Sequence, residues 1–157
     1  MSGAEDLGRY RAECSREWMR HVAGLKRRVE ATRDAIEQAR SMMLPQGIAY
    51  DGGGGSGCYA DAIPDGVAKL EGMIAEYSLG LSAMVDEERR ARAAIASLEH
   101  ERHRTAVERH YLLGETFGQV AEATGYSTDS VKRNCREALI ELYDGIPEEY
   151  RRIPAAV

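Results

Sequence analysis

Two stretches of this chain space their apolar residues by steps of three and four, and that spacing leaves few folds open. In the first, roughly residues 5–43, Trp18, Val22, Leu25, Val29, Ile36, Ala39 and Met43 follow by steps of 4, 3, 4, 7, 3 and 4, the step of 7 passing over Thr32. A seven-residue repeat is the seam of a helix that packs along another helix, narrower than the face a helix turns to a globular core. The opposite side carries Arg20, Lys26, Arg27, Glu30, Asp34 and Glu37, which can stay in water. The second stretch starts near Pro64, a residue that a first helical turn tolerates. It places Val67, Leu70, Ile74, Tyr77, Leu81, Met84, Ala91, Ile95 and Leu98 on one seam, with Glu88 as its one polar intruder. Gly24, Gly66, Gly72 and Gly80 each cost about 1 kcal/mol against alanine, so packing must hold these helices.

Between the stretches lies a connector, residues 44–63, bracketed by Pro45 and Pro64 and containing Asp51-Gly-Gly-Gly-Gly-Ser-Gly57. Regular structure there would cost too much backbone entropy, so a flexible link is expected. Two such helices and a flexible link most simply fold back as an antiparallel hairpin. The same seams can also pair between two chains, and spacing alone leaves that choice open. The expected organisation is all-α: a long, coiled-coil-like hairpin over residues 1–98, a distinct helical domain over 99–143 and an irregular tail over 144–157.

Composition narrows the function classes. The charged fraction is 30% and the net charge is −5, which argues against a protein that coats nucleic acid through a general positive excess. The three cysteines, Cys14, Cys58 and Cys135, have no metal-like spacing and do not suggest a disulfide framework, so a reducing cytoplasm is expected. The polar start of the chain does not look like a signal peptide. No apolar run approaches the roughly 20 residues of a membrane span.

The third region has another rhythm, with short punctuated helices. A helix carrying Val107, Tyr111 and Leu112 is expected to end at Gly114, a favoured C-terminal cap residue. Thr116 followed three residues later by Gln119 is a capping box, which opens a short helix with Phe117, Val120 and Ala121 on its buried side. Gly125 ends it. Ser127 can cap a further helix with Asp129 in its first turn, where the dipole favours a negative charge. That last helix buries Val131, Cys135, Ala138, Leu139 and Leu142. The spacing Ala121-x3-Gly125-x5-Val131 is a helix-turn-helix pattern, spanning roughly residues 116–143. Alanine fits where the helices cross, glycine accepts the turn, and valine plugs the space between the helices.

If the last helix enters a major groove, its outward residues are Ser127, Thr128, Asp129, Lys132, Arg133 and Arg136. From residue 127 to 136 three cations stand against one carboxylate, a net +2 in an acidic chain. Ser127 and Thr128, with the free N–H groups of the helix start, suit phosphate contacts. Lys132 and Arg133 suit phosphates or base edges, and arginine to guanine is the commonest specific contact. Asp129 can accept from cytosine N4 or repel phosphate in a wrong docking. Three cations imply modest affinity for a single copy, so a homodimer, a higher oligomer or a helping protein is expected.

These residues resemble the fourth conserved region of bacterial sigma-70-type factors. The run from Thr105 to Gly114, then Thr116-Phe-Gly-Gln-Val-Ala121, Gly125-Tyr-Ser127, Val131-Lys-Arg133 and Ala138-Leu139, is most similar to the phage and prophage variant, the ArpU/RinA-like small transcriptional regulators. Leu44-Pro-Gln-Gly-Ile-Ala-Tyr-Asp51, ahead of a polar loop and a long helix, is similar to the N-terminal half of those proteins. The resemblance implies a sigma-70 region 4-like fold for the C-terminal domain and a role in switching on late or lysis genes. It implies double-stranded DNA and host RNA polymerase as partners, in the cytoplasm of a bacterial host. By position it places Ser127, Thr128, Lys132, Arg133 and Arg136 against DNA.

Other features have plainer explanations. His100, His103 and His110 suggest a metal, but no fourth ligand is placed, and a solvated helix face is the expectation. The glycine-rich loop is followed by no Gly-Lys-Ser/Thr and is not a phosphate loop. Cys58 is expected to be exposed, while Cys14 and Cys135 fit helix seams as small apolar residues. No nucleophile–base or carboxylate pair stands out, so neither an enzyme nor a cofactor is expected. Two other functions fit the pattern less fully. One is a coiled-coil interaction protein that grips RNA polymerase or another factor, with DNA contact secondary. The other is a DNA-packaging recognition subunit.

Overall fold

Both seams become long helices in the computed structural model, which describes residues 2–43 and 59–152. They are α1 (Ser2–Met43) and α2 (Tyr59–Ala96). The short helices α3 (Glu101–Val107), α4 (Phe117–Thr124) and α5 (Thr128–Leu142) follow, and no strand occurs among the described residues. The chain is all-α. Helix α2 begins five residues before Pro64, so residues 59–63, expected in the connector, are helical. Pro64 therefore sits in the second turn, where it forgoes one backbone hydrogen bond. The glycine-rich run and Cys58 lie outside the described residues, as do the tail residues 153–157.

The chain divides into two compact units, one of residues 1–24 and 85–157 and one of residues 25–84. This division is not the boundary expected at residue 98. The ends of both long helices belong with the short helices, because they share one core.

In the unit of residues 25–84, α1 and α2 run antiparallel within one chain. A Cβ added at Gly80 would lie 3.6 Å from Val29 Cγ2, and one at Gly66 would lie 3.6 Å from Met43 Cε. As one helix ascends in number the other descends. The α1 seam is as expected: Val29 and Ile36 are buried, and Leu25, Thr32 and Ala39 are half-buried. The α2 seam is rotated from its expected line. It runs through Gly66, Leu70, Met73, Tyr77, Gly80 and Met84, while Val67 and Ile74, expected on it, are 39% and 45% exposed. Gly66 and Gly80 face α1, each with room for a Cβ at ordinary contact distance.

The other unit has a single core. Trp18 and Met19 of α1 are fully buried in it, with Ala91 and Ile95 of α2, Val107 of α3 and Leu139 of α5. The indole Nε1 of Trp18 donates to Glu87 Oε2 at 3.1 Å, and Arg90 pairs with the other oxygen of that carboxylate at 3.1 Å. Glu87 is therefore the polar residue facing the α1 seam. Glu88, expected there, is engaged by Arg92 at 2.8 Å, and Arg92 also reaches Glu108 at 2.7 Å.

The tail is more ordered than expected. Short 3-10 turns at Tyr143–Gly145 and Glu148–Tyr150 bring Ile146 into the core at 1% exposure, with Tyr150 packed beside it. Arg151 Nε donates to the Ile146 carbonyl at 3.1 Å, closing the segment. Prolines at 147 and 154 obscure this in the sequence, because one apolar residue carries the docking.

Two outcomes follow from this packing. The space at Gly80 accepts a methyl group at ordinary contact distance, so Gly80→Ala should raise stability by about 0.5–1 kcal/mol. A lowered melting temperature in calorimetry would contradict it. Burial pushes the Cys135 thiol up from 9.0 to about 11, with the charge of Arg16 opposing. The unfolded chain ionises that thiol first, so stability should fall as pH climbs from about 9 to about 11. Urea midpoints across that range should show the loss, and Cys135→Ala should flatten it.

Candidate nucleic-acid interface

The segment from α3 to α5 is fixed by caps at each end of α4. Leu113 N–H donates to the Glu108 carbonyl at 3.1 Å, one residue wider than an α-turn, so residues Glu108–Leu112 form a π-helical turn. The sequence pattern suggested an ordinary helix here. Gly114 then takes φ +72°, and Glu115 N–H donates back to the Arg109 carbonyl at 3.0 Å. Arg109 Nη1 also lies 3.0 and 3.1 Å from the two oxygens of Glu115. His110 Nδ1 donates to the Glu115 carbonyl at 2.8 Å and its ring stacks on Phe117 at 4.1 Å. The start of α4 is thus pinned to the turn before it.

The capping box is present in both directions. Gln119 N–H donates to Thr116 Oγ1 at 3.2 Å, and Thr116 N–H donates to Gln119 Oε1 at 2.8 Å. Gly125 ends α4 in the left-handed region at φ +76°, with its N–H on the Ala121 carbonyl at 2.9 Å. Ser127 caps α5, accepting from Ser130 N–H at 3.2 Å. Val120 is buried as expected, while Phe117 and Ala121 are half-buried. Val131, Cys135, Ala138, Leu139 and Leu142 all turn into the protein.

Each of the outward residues, Ser127, Thr128, Asp129, Lys132, Arg133 and Arg136, is exposed. Helical spacing brings Asp129, Lys132, Arg133 and Arg136 to one side of α5, opposite its buried stripe. Among the described residues none of Asp129, Lys132, Arg133 and Arg136 has an ion-pair partner. Many arginines elsewhere are engaged: Arg16, Arg90, Arg92, Arg109 and Arg152 face carboxylates, and Arg104 donates to the Leu98 carbonyl at 2.5 Å.

The remaining carboxylates of α5, Glu137 one turn on from Arg133 and Glu141 one turn further, are both engaged by His103. Glu137 Oε2 lies 3.1 Å from His103 Nε2, and Glu141 Oε2 lies 3.2 Å from His103 Nδ1. Glu99 N–H donates to Glu141 at 2.8 Å and, with His103, holds that carboxyl below its usual range. His103 is 5% exposed, so the solvated histidine face expected from sequence is not found at this position. The two carboxylates meet opposite edges of the ring and do not converge on one nitrogen. His103 acts as a clasp between α3 and α5. The sequence signal that identifies it is the pair Glu137 and Glu141, one turn apart on the helix opposite.

Asn134 is the other residue the pattern missed. It is 8% exposed and helps line a cavity of about 320 Å³ bounded by Thr105, Val120, Thr124, Tyr126 and Val131. By helical spacing it lies on the side of α5 opposite Lys132, Arg133 and Arg136, so the cavity is separate from the basic face.

No family model, curated protein or solved structure matches this chain.

The turn gives a direct test of this geometry. Gly125→Val forces a β-branched residue into the left-handed region and should cost on the order of 2 kcal/mol. Chemical denaturation with the loss absent would show that the turn does not need that conformation.

Proposed function

We propose that this chain is a sequence-specific DNA-binding regulator of transcription, of the phage and prophage kind its sequence resembles, and that α5 is its recognition helix. The observation that carries the reading is the exposed trio Lys132, Arg133 and Arg136, without ion-pair partners among the described residues on the outer side of a capped, well-buried helix. Unpaired cations on a rigid helix attract phosphate at little reorganisation cost. In this reading α4, the turn and α5 form a sigma-70 region 4-like helix-turn-helix. Ser127, Thr128 and the first-turn N–H groups fix the register on the backbone. Lys132, Arg133 and Arg136 divide between phosphates and guanine edges, and Asp129 accepts from cytosine or penalises misdocking.

Three cations make a small electrostatic footprint, so the regulator works with help, and host RNA polymerase in the bacterial cytoplasm is the proposed partner. It binds rather than catalyses. In a rival reading the long helices hold polymerase and DNA contact is secondary, but no specific contact favours it over the basic face.

Fluorescence anisotropy with duplexes from the gene's own neighbourhood tests the proposal. Salt-sensitive binding is expected. Lys132→Ala with Arg133→Ala should weaken it by tenfold or more and, where both contact phosphate, reduce the salt slope by about two. Binding that is absent, indifferent to salt or unchanged in the double variant would refute it.

A further inference from the structure

We propose that residues 25–84 pair with a second copy of this chain through the groove beside Gly80. The pairing does not depend on the DNA reading above. Two helices alone cannot enclose a core, and in this unit Leu70, Met73, Tyr77, Leu81 and Met84 remain only half-buried. One side of the hairpin is lined mainly by small and apolar residues, around Arg28 and Glu76. Ala31 and Ala35 of α1 and Gly72, Ala75, Leu79 and Ala83 of α2 are all exposed there and follow helical steps of three and four. Between the helices lies a groove of about 500 Å³ lined by Leu25, Val29, Tyr77 and Gly80. Leu79 stands at its edge, 76% exposed. A knob and a hole on the same surface are what a two-fold contact between identical chains requires.

Charge selects the occupant and its direction. Residues 25–43 of α1 carry five cations against three carboxylates, while residues 59–84 of α2 carry four carboxylates against one lysine. A two-fold axis along the helices lays each α1 on the partner's α2, joining opposite charge. An axis across them would lay like on like. Arg28 and Glu76 both line the groove, both are exposed, and neither has an ion pair among the described residues. Across the two-fold each meets the other's counterpart, and Leu79 settles between Arg28, Ala31 and Ala35 of the facing helix.

Light scattering and sedimentation of the full chain without DNA should give twice the 17.3 kDa of one chain. Leu79→Glu should shift that to the single-chain mass with its helical circular dichroism retained. Arg28→Glu should weaken association by about tenfold, and adding Glu76→Arg should restore it. The Lys132→Ala/Arg133→Ala variant should keep the wild-type mass, so loss of DNA binding and loss of pairing are read separately. A wild-type monomer up to about 100 μM, roughly the range of weak association, overturns the proposal. So does a ring or trimer, a Leu79→Glu protein of unchanged mass, or a charge swap that fails to recover.

Discussion

The hydrogen bond from Trp18 to Glu87 is the contact on which the unit that carries α5 is built. An indole is the largest apolar group a chain can bury, but its N–H must find an acceptor once water is gone. Here the acceptor comes from a residue 69 positions away in sequence, and Arg90 offsets the charge of that acceptor. With the polar edge answered, the rest of the ring joins Met19, Ile95, Val107 and Leu139 in one core. The start of α1 and the end of α2 are therefore not an accessory to the short helices. They complete the hydrophobic environment in which the inner side of α5 is held, so the outer side is presented by a fixed helix.

Much of this was legible. The caps at Thr116, Gly125 and Ser127 are local devices: side chain and backbone meet within three or four residues, and their spacing alone specifies them. The α1 seam was legible for a similar reason, since Trp18, Val22, Val29 and Ile36 are large and apolar and every one is buried. The α2 seam was not. A pattern reader ranks valine and isoleucine above glycine as core residues, yet Gly66 and Gly80 face α1 and Val67 and Ile74 do not. Which side of α2 meets α1 is settled by the partner helix, and side-chain size along α2 alone does not reveal it. The same blindness to tertiary context hid Ile146 and His103, whose burial depends on elements 30 residues or more away in sequence.

The outward residues of α5 were also legible as a set, but their electrostatic state was not. Sequence counts an arginine as a cation wherever it stands. The structure separates arginines already facing a carboxylate from those that are not, and the former are poorly placed to attract a phosphate. Arg92, held between Glu88 and Glu108, differs in this respect from Arg133, though both are exposed. A net charge of −5 is thus compatible with a local anion-attracting face.

His103 engages two of the carboxylates that α5 carries beside its cations. The helix carries Asp129, Glu137 and Glu141 as well as its cations, and a free carboxylate one turn from Arg133 can pair with it. Glu137, one turn on from Arg133, and Glu141, one turn further, are each held at one edge of the buried imidazole. The clasp that ties α3 to α5 therefore also engages two carboxylates of α5, and neither of them pairs with Lys132, Arg133 or Arg136. A residue with no place on the exposed face thus competes for the carboxylates beside it, and it does so from inside the unit whose core Trp18 completes.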